Sequence, residues 1–169
     1  IAQINFQEVK PFDTENLLPS SGILYIFYSA EQEVWGFDLL DKNKFKVLYY
    51  DGNLNELSRI NFPSDLPEYS QFKPCSVSIK QEISIPSDGH EVYENFSDEE
   101  SEKFWSNVCN EGNLNKLLGY SDNIQNEMEF ECELVTNGLY CGDPSGYNNP
   151  RAKALEPNAK NWRLLLQID

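Results

Sequence analysis

The chain has 169 residues, 40% of them hydrophobic and 13% aromatic, and a net charge of −15. That length suits one domain, 1–169, with a real core, and so many aromatics exclude a disordered acidic chain. The charge repels phosphate backbones and anionic lipid, so it argues against nucleic acid and membrane surfaces; a solvated acidic surface is the preferred reading, with a basic protein partner as the alternative.

Residues 1–6 read as a strand. Asp13 opens a short turn or helix that Pro19 and Gly22 close, and Ile23 to Tyr28 is a buried strand. Val34 to Phe37 and Phe45 to Tyr50 follow, with the polar turn Asp41-Lys42-Asn43-Lys44 between them and a tight turn at Asp51-Gly52. Links this short predict an antiparallel meander. Residues 61–75 are a proline-bearing loop. Val77, Ile79, Gln81, Ile83 and Ile85 alternate with Ser78, Lys80, Glu82 and Ser84, which predicts a half-buried strand. Ser97 and Glu100 have capping-box spacing, so a helix is predicted from Asp98 to Asn110 with Phe104, Trp105 and Val108 inward and Gly112 as its stop. A second short helix is expected over Leu114 to Leu118. Glu127 to Leu134 alternates cleanly and predicts a strand with Glu127, Glu129, Glu131 and Glu133 on one face. Residues 136–150 form a loop, 152–159 a broken helical turn around Pro157, and Trp162 to Ile168 the last strand. The fold class is α+β, mostly antiparallel sheet with a few short helices.

The opening Ile1-Ala2-Gln3-Ile4-Asn5 and the closing Leu165-Leu166-Gln167-Ile168-Asp169 share one pattern: an apolar run with one glutamine, ended by Ile and then Asn or Asp. Their likeness suggests an internal duplication, and 1–169 is expected to be an incomplete part of a longer protein. No apolar run reaches the length of a membrane span, and no signal peptide is visible. Cys75, Cys109, Cys132 and Cys141 lack metal-ligand spacing and read as reduced, mostly buried thiols, with no cofactor implied.

The glutamate column is the most conspicuous charged feature. Carboxylates at alternate positions of one strand suit paired acid–base chemistry or a hard cation. With Asp122 and Asn126 upstream, the metal set of that alternative is Asp122, Glu127, Glu129 and Glu131. A solvated sheet face explains the same column, and is preferred. His90 has no nucleophile motif near it and reads as a solvated loop residue. Trp35 and Trp105 could anchor a partner, although core positions are preferred. Gln3 and Gln167 sit in apolar strands. They are expected to bond loop backbone or, with Trp35, to line a ligand pocket.

Seven stretches together resemble one family. They are Ile1 to Phe6, Gly22-Ile23-Leu24-Tyr25-Ile26-Phe27-Tyr28, Trp35-Gly36-Phe37-Asp38, Lys46-Val47-Leu48-Tyr49-Tyr50, Leu117-Leu118-Gly119-Tyr120 with Ile124-Gln125, Asn137-Gly138-Leu139-Tyr140-Cys141-Gly142, and Trp162 to Asp169. In this order they are similar to the YwqG-like family of bacterial proteins, a domain of unknown function. The resemblance implies an α+β fold of two related halves and carries no catalytic residues across. It points weakly to protein binding near toxin and immunity systems. The expected function is therefore a non-enzymatic protein-binding, immunity or adaptor role in the cytoplasm. The alternative is a carboxylate- or metal-dependent hydrolase built on the 127–133 face.

Overall fold

Asn5 ends the first strand and begins the first helix with one side chain. Its Oδ1 accepts the Gln7 N–H at 3.1 Å, and its Nδ2 donates to Glu8 at 3.1 Å. That reciprocal cap turns the chain from β1 (Ala2–Asn5) into α1 (Phe6–Val9). The computed structural model describes residues 1–86, 90–108, 115–123 and 127–168. The described chain gathers into two units: residues 1–36 with 40–81, and residues 37–39 with 82–169.

In the first unit, β1 pairs antiparallel with β2 (Ile23–Tyr28), and β2 with β3 (Phe45–Tyr50), in the order β1-β2-β3. Asn5 stands opposite Ile23, and Ile23 opposite Tyr50. The meander expected from the short links is present, but Val34 to Phe37 is not one of its strands. Val34 turns inward and Trp35 outward, and Gly36 takes φ +80°. Phe6, Val9, Ile23, Leu24 and Val34 form the buried set. After α1, the Asp13 carboxylate accepts the N–H groups of Leu17 and Leu18, each at 3.0 Å. These bonds favour the ionised form and hold its pKa below the ordinary carboxylate value.

Gly22 leads into β2 at φ +92°, and a Cβ there would come within 2.6 Å of both the Tyr49 ring and the Tyr50 carbonyl oxygen. Only glycine fits both the backbone angle and the space.

Residues 77–85 are not a strand. Val77 and Ile83 are 84% and 91% exposed. The alternation is real, but a strand needs a ladder, and no described strand pairs with this segment.

The first α-helix of the second unit begins after Ser97. The expected capping box is present: Ser97 Oγ accepts the Glu100 N–H at 3.3 Å, and Glu100 Oε2 accepts the Ser97 N–H at 2.9 Å. It starts α2 (Asp98–Asn107), which ends a turn before the expected boundary. Phe104 and Trp105 pack with Tyr93 and Phe96, ring centroids 5.1 to 5.8 Å apart. The expectations that fell on Cys109, Asn110, Gly112, Leu114 and Asn126 lie outside the described residues. Where a short helix was expected, Lys116–Leu117 is strand β4. It pairs antiparallel with β5 (Leu166–Gln167), much shorter than the strand expected over 162–168.

The largest correction is at 127–134. This segment is helix α3 (Met128–Thr136), not a strand. Glu, Met and Leu are strong helix formers, and β-branched residues enter only at Val135 and Thr136. Leu134 and Val135 are both buried. Adjacent residues cannot share one face of a strand, whereas a helix buries such neighbours together with positions three and four back, here Phe130 and Glu131. The chain then stops at Gly138, φ +80°. The Leu139 N–H donates to the Leu134 carbonyl at 3.0 Å, and the Gly138 N–H to that of Val135 at 2.9 Å. That is a Schellman stop. Leu134, Val135, Leu139, Cys141 and Ala152 make the core of this unit, with Phe130, Tyr147 and Leu155 against it. The broken turn expected at 152–159 is α4 (Ala152–Leu155) running into a 3₁₀ stretch, Glu156–Asn161.

Candidate functional site

The four glutamates do not form a column. At 100° per residue, Glu129 and Glu131 project from different sides of α3, and Glu127 precedes the helix as its exposed N-cap residue. Glu131 and Glu133 are each engaged by neighbours. Tyr147 donates its hydroxyl to Glu131 Oε2 at 2.7 Å. Glu133 accepts the Trp162 indole N–H at 2.9 Å, the Asn137 amide at 3.1 Å and the Asn158 amide at 3.2 Å. The Trp162 bond leads in holding the Glu133 carboxyl below its ordinary pKa, with the two amides assisting. One carboxylate thus ties α3 to its own C-terminal turn and to the 3₁₀ stretch. Around Glu131 the effect on the neighbours is opposite. Burial, then the bond to Glu131, pushes the Tyr147 phenol up. Burial, then the charge of Glu131, pushes up the thiols of Cys132 and Cys141. Thiols held protonated are poor nucleophiles and poor metal ligands.

Asp122 has partners of its own. It forms an ion pair with Lys116 Nζ at 2.5 Å, and its backbone N–H donates to Gln167 Oε1 at 2.9 Å. Among the described residues, no three His, Cys, Asp or Glu side chains gather as metal ligands. The shared strand face behind the hydrolase alternative is therefore absent.

The ligand candidates also part company. Gln3 lies in β1 opposite Tyr25 with its side chain exposed. Gln167 lies in β5 and bonds loop backbone as the sequence suggests. The two glutamines occupy different settings in different units, so the suspected duplication rests on their sequence pattern alone. Trp35 is 74% exposed, which corrects the preferred core position. Trp105 packs into the aromatic cluster on α2. His90 is half-buried rather than solvated, its ring edge-on to Tyr120 at 5.7 Å and its Nδ1 accepting the Val92 N–H at 3.2 Å. Of the thiols, Cys141 is buried, Cys132 half-buried and Cys75 exposed.

Two features of the first unit went unmarked in the sequence. The first is the outer edge of β3, which meets no described strand. Phe45, Val47, Leu48 and Tyr49 are each 44% to 46% exposed there. The second is a polar cleft of about 410 Å³ at the end of the same strand, lined by Gln7, Ser21 and Gly22 on one side and by residues 51–55 on the other. Its frame is tyrosine-braced. The Tyr49 hydroxyl donates to the Ser21 carbonyl at 2.9 Å, and the Tyr50 hydroxyl to the Asn53 carbonyl at 3.2 Å. Asn53 Oδ1 accepts the Asn55 N–H at 3.1 Å and fixes the short 3₁₀ turn Leu54–Glu56. The available signal was Asp51-Gly52 followed by two asparagines, read only as a turn.

A family model described as a domain of unknown function (DUF1963) matches residues 1–169, so the chain belongs to that family. No curated protein and no solved structure matches it. No described helix is long and apolar enough to cross a membrane.

Proposed function

We propose that this member of the DUF1963 family works by binding another protein and not by catalysing a reaction, as a YwqG-like adaptor or immunity module of the bacterial cytoplasm. One observation carries the reading: the outer edge of β3 meets no described strand, and Phe45, Val47, Leu48 and Tyr49 along it are partly exposed. Exposed apolar surface marks an interaction site, and an open edge supplies a row of backbone donors and acceptors to an incoming strand. The occupant is an extended segment of a partner protein added antiparallel to β3. The charge layout of the edge supports one kind of segment. Lys46 stands near the start of β3 and Asp51 just past its end, and neither side chain has a hydrogen bond or ion pair among the described residues. An antiparallel partner therefore carries a basic residue at its leading end, beside Asp51, and an acidic one at its trailing end, beside Lys46.

The test is selection of displayed ten-residue peptides on the immobilised chain, followed by amide hydrogen exchange with a chosen peptide bound. Protection along β3, lost when Val47→Lys places a charge at the middle of the edge, is the expected result. Peptides that protect other segments and bind the Val47→Lys protein equally well would overturn the reading.

A further inference from the structure

The cleft beyond β3 holds polar groups that the fold does not use. Among the described residues, the Asp51 carboxylate and the side-chain amides of Gln7 and Asn55 make no hydrogen bond or ion pair. The lining contains one carboxylate and no lysine, arginine or histidine. Glu8 and Glu56, which follow two of the lining residues in sequence, add negative charge, and both serve as acceptors in local caps. Two of the lining glycines pack closely against the tyrosines. A Cβ on Gly22 would meet the Tyr49 ring and the Tyr50 carbonyl, and one on Gly52 would come within 2.5 Å of the Tyr50 side chain. The two tyrosine hydroxyls hold the walls at Ser21 and Asn53.

From these groups we infer that the cleft seats a single guanidinium group, the end of an arginine side chain on a partner polypeptide. A guanidinium offers five N–H donors in a planar fork and no acceptor. The Asp51 carboxylate suits two of those donors, and the amide oxygens of Gln7 and Asn55 suit the others. A phosphate or carboxylate ligand would meet Asp51 as a like charge, in a protein of net charge −15. The cleft is open and polar, so it fits one side-chain end better than a whole apolar ligand, which would need deeper enclosure. The inference rests on the strand-addition reading only for the source of the arginine. The chemistry of the seat stands apart from it.

The experiment is an amide NMR titration of the 169-residue chain with Nα-acetylarginine amide, and in parallel with the citrulline analogue, which keeps the shape and loses the charge. Shifts are expected at Gln7, Gly22, Gly52 and Asn55 with the arginine probe. The citrulline probe and the Asp51→Asn protein should each weaken binding about tenfold, the size of one charge-assisted hydrogen bond. Equal binding of both probes, shifts confined to other segments, or no shifts at all would overturn the inference. Gln7→Ala gives an independent check, because it removes an acceptor without touching the charge and should weaken the arginine probe while Asp51 is intact. If the arginine probe binds here while no peptide protects β3, the strand-addition reading falls and the seat stands.

Discussion

Two carboxylates, Glu133 and Asp51, show how differently one chemical group can be used. Glu133 accepts three side-chain donors at 2.9 to 3.2 Å and is held ionised by them. Asp51 has no partner among the described residues and lines an open cleft. The first charge is consumed in joining a helix to the segment that follows it. The second makes no bond within the described chain. A conspicuous run of acidic residues in a sequence therefore says little about chemistry until the donors around each one are known.

The comparison breaks most severely if the frame beneath Glu133 is removed. Leu134 is fully buried at the centre of its cluster. Leu134→Ala should cost about 3 kcal/mol, from lost transfer energy and the cavity left behind. A denaturant midpoint unchanged from the parent would show that α3 does not pack as described. The next effect is at the helix stop. Gly138 holds φ +80° with open space around the position a Cβ would take. Gly138→Ala is therefore a pure backbone penalty of about 1 kcal/mol. A neutral result would remove the Schellman geometry.

A smaller effect separates the two carboxylates by pH. The folded pKa of Glu133 lies below its ordinary value of 4.5. A depressed pKa contributes stability that is fully present above the ordinary value and is lost as pH falls through the folded one. Asp13, Glu100 and Asp143 are shifted the same way by their own bonds, so the parent loses stability in acid for several reasons. The informative quantity is the difference in melting temperature between parent and Glu133→Gln. It should be largest near neutral pH and shrink as pH drops below about 4.5. A difference that stays constant down to strongly acidic pH would mean that the Trp162 and Asn bonds do not depend on the charge.

Much of the first unit was legible because its strands are local and bounded by turn residues. The runs 23–28 and 45–50 could be read directly, and so could the Ser97–Glu100 cap, which depends on four consecutive residues. The segment 127–134 misled because alternation in residue type is only one of two patterns present. The second was the buried pair Leu134-Val135 followed by Asn137-Gly138, a helix stop hidden in what read as loop. Period alone favoured a strand, while propensity and the stop together favoured a helix, and the packing of Phe130 and Leu134 decided. The segment 77–85 failed for another reason. Its pattern fits a strand, but pairing is a property of the partner, which sequence alternation does not contain. The cleft was invisible because its lining comes from residues 7, 21–22 and 51–55, which only the β1-β2-β3 register brings together.

The smallest expected effect is the sharpest test of the contrast. Asp51→Asn keeps the shape of the side chain and removes one charge. Because no hydrogen bond or ion pair within the described chain uses that charge, stability should stay within about 0.5 kcal/mol of the parent, as for surface substitutions in general. The same chemical change at Glu133 alters the acid limb of the stability curve, so the two amide variants form a matched pair measured by one method. If Asp51→Asn destabilises the protein by well over 1 kcal/mol, its carboxylate is holding the Asp51–Asn55 turn together. It is then a structural group like Glu133, and the cleft has no spare charge to offer an arginine.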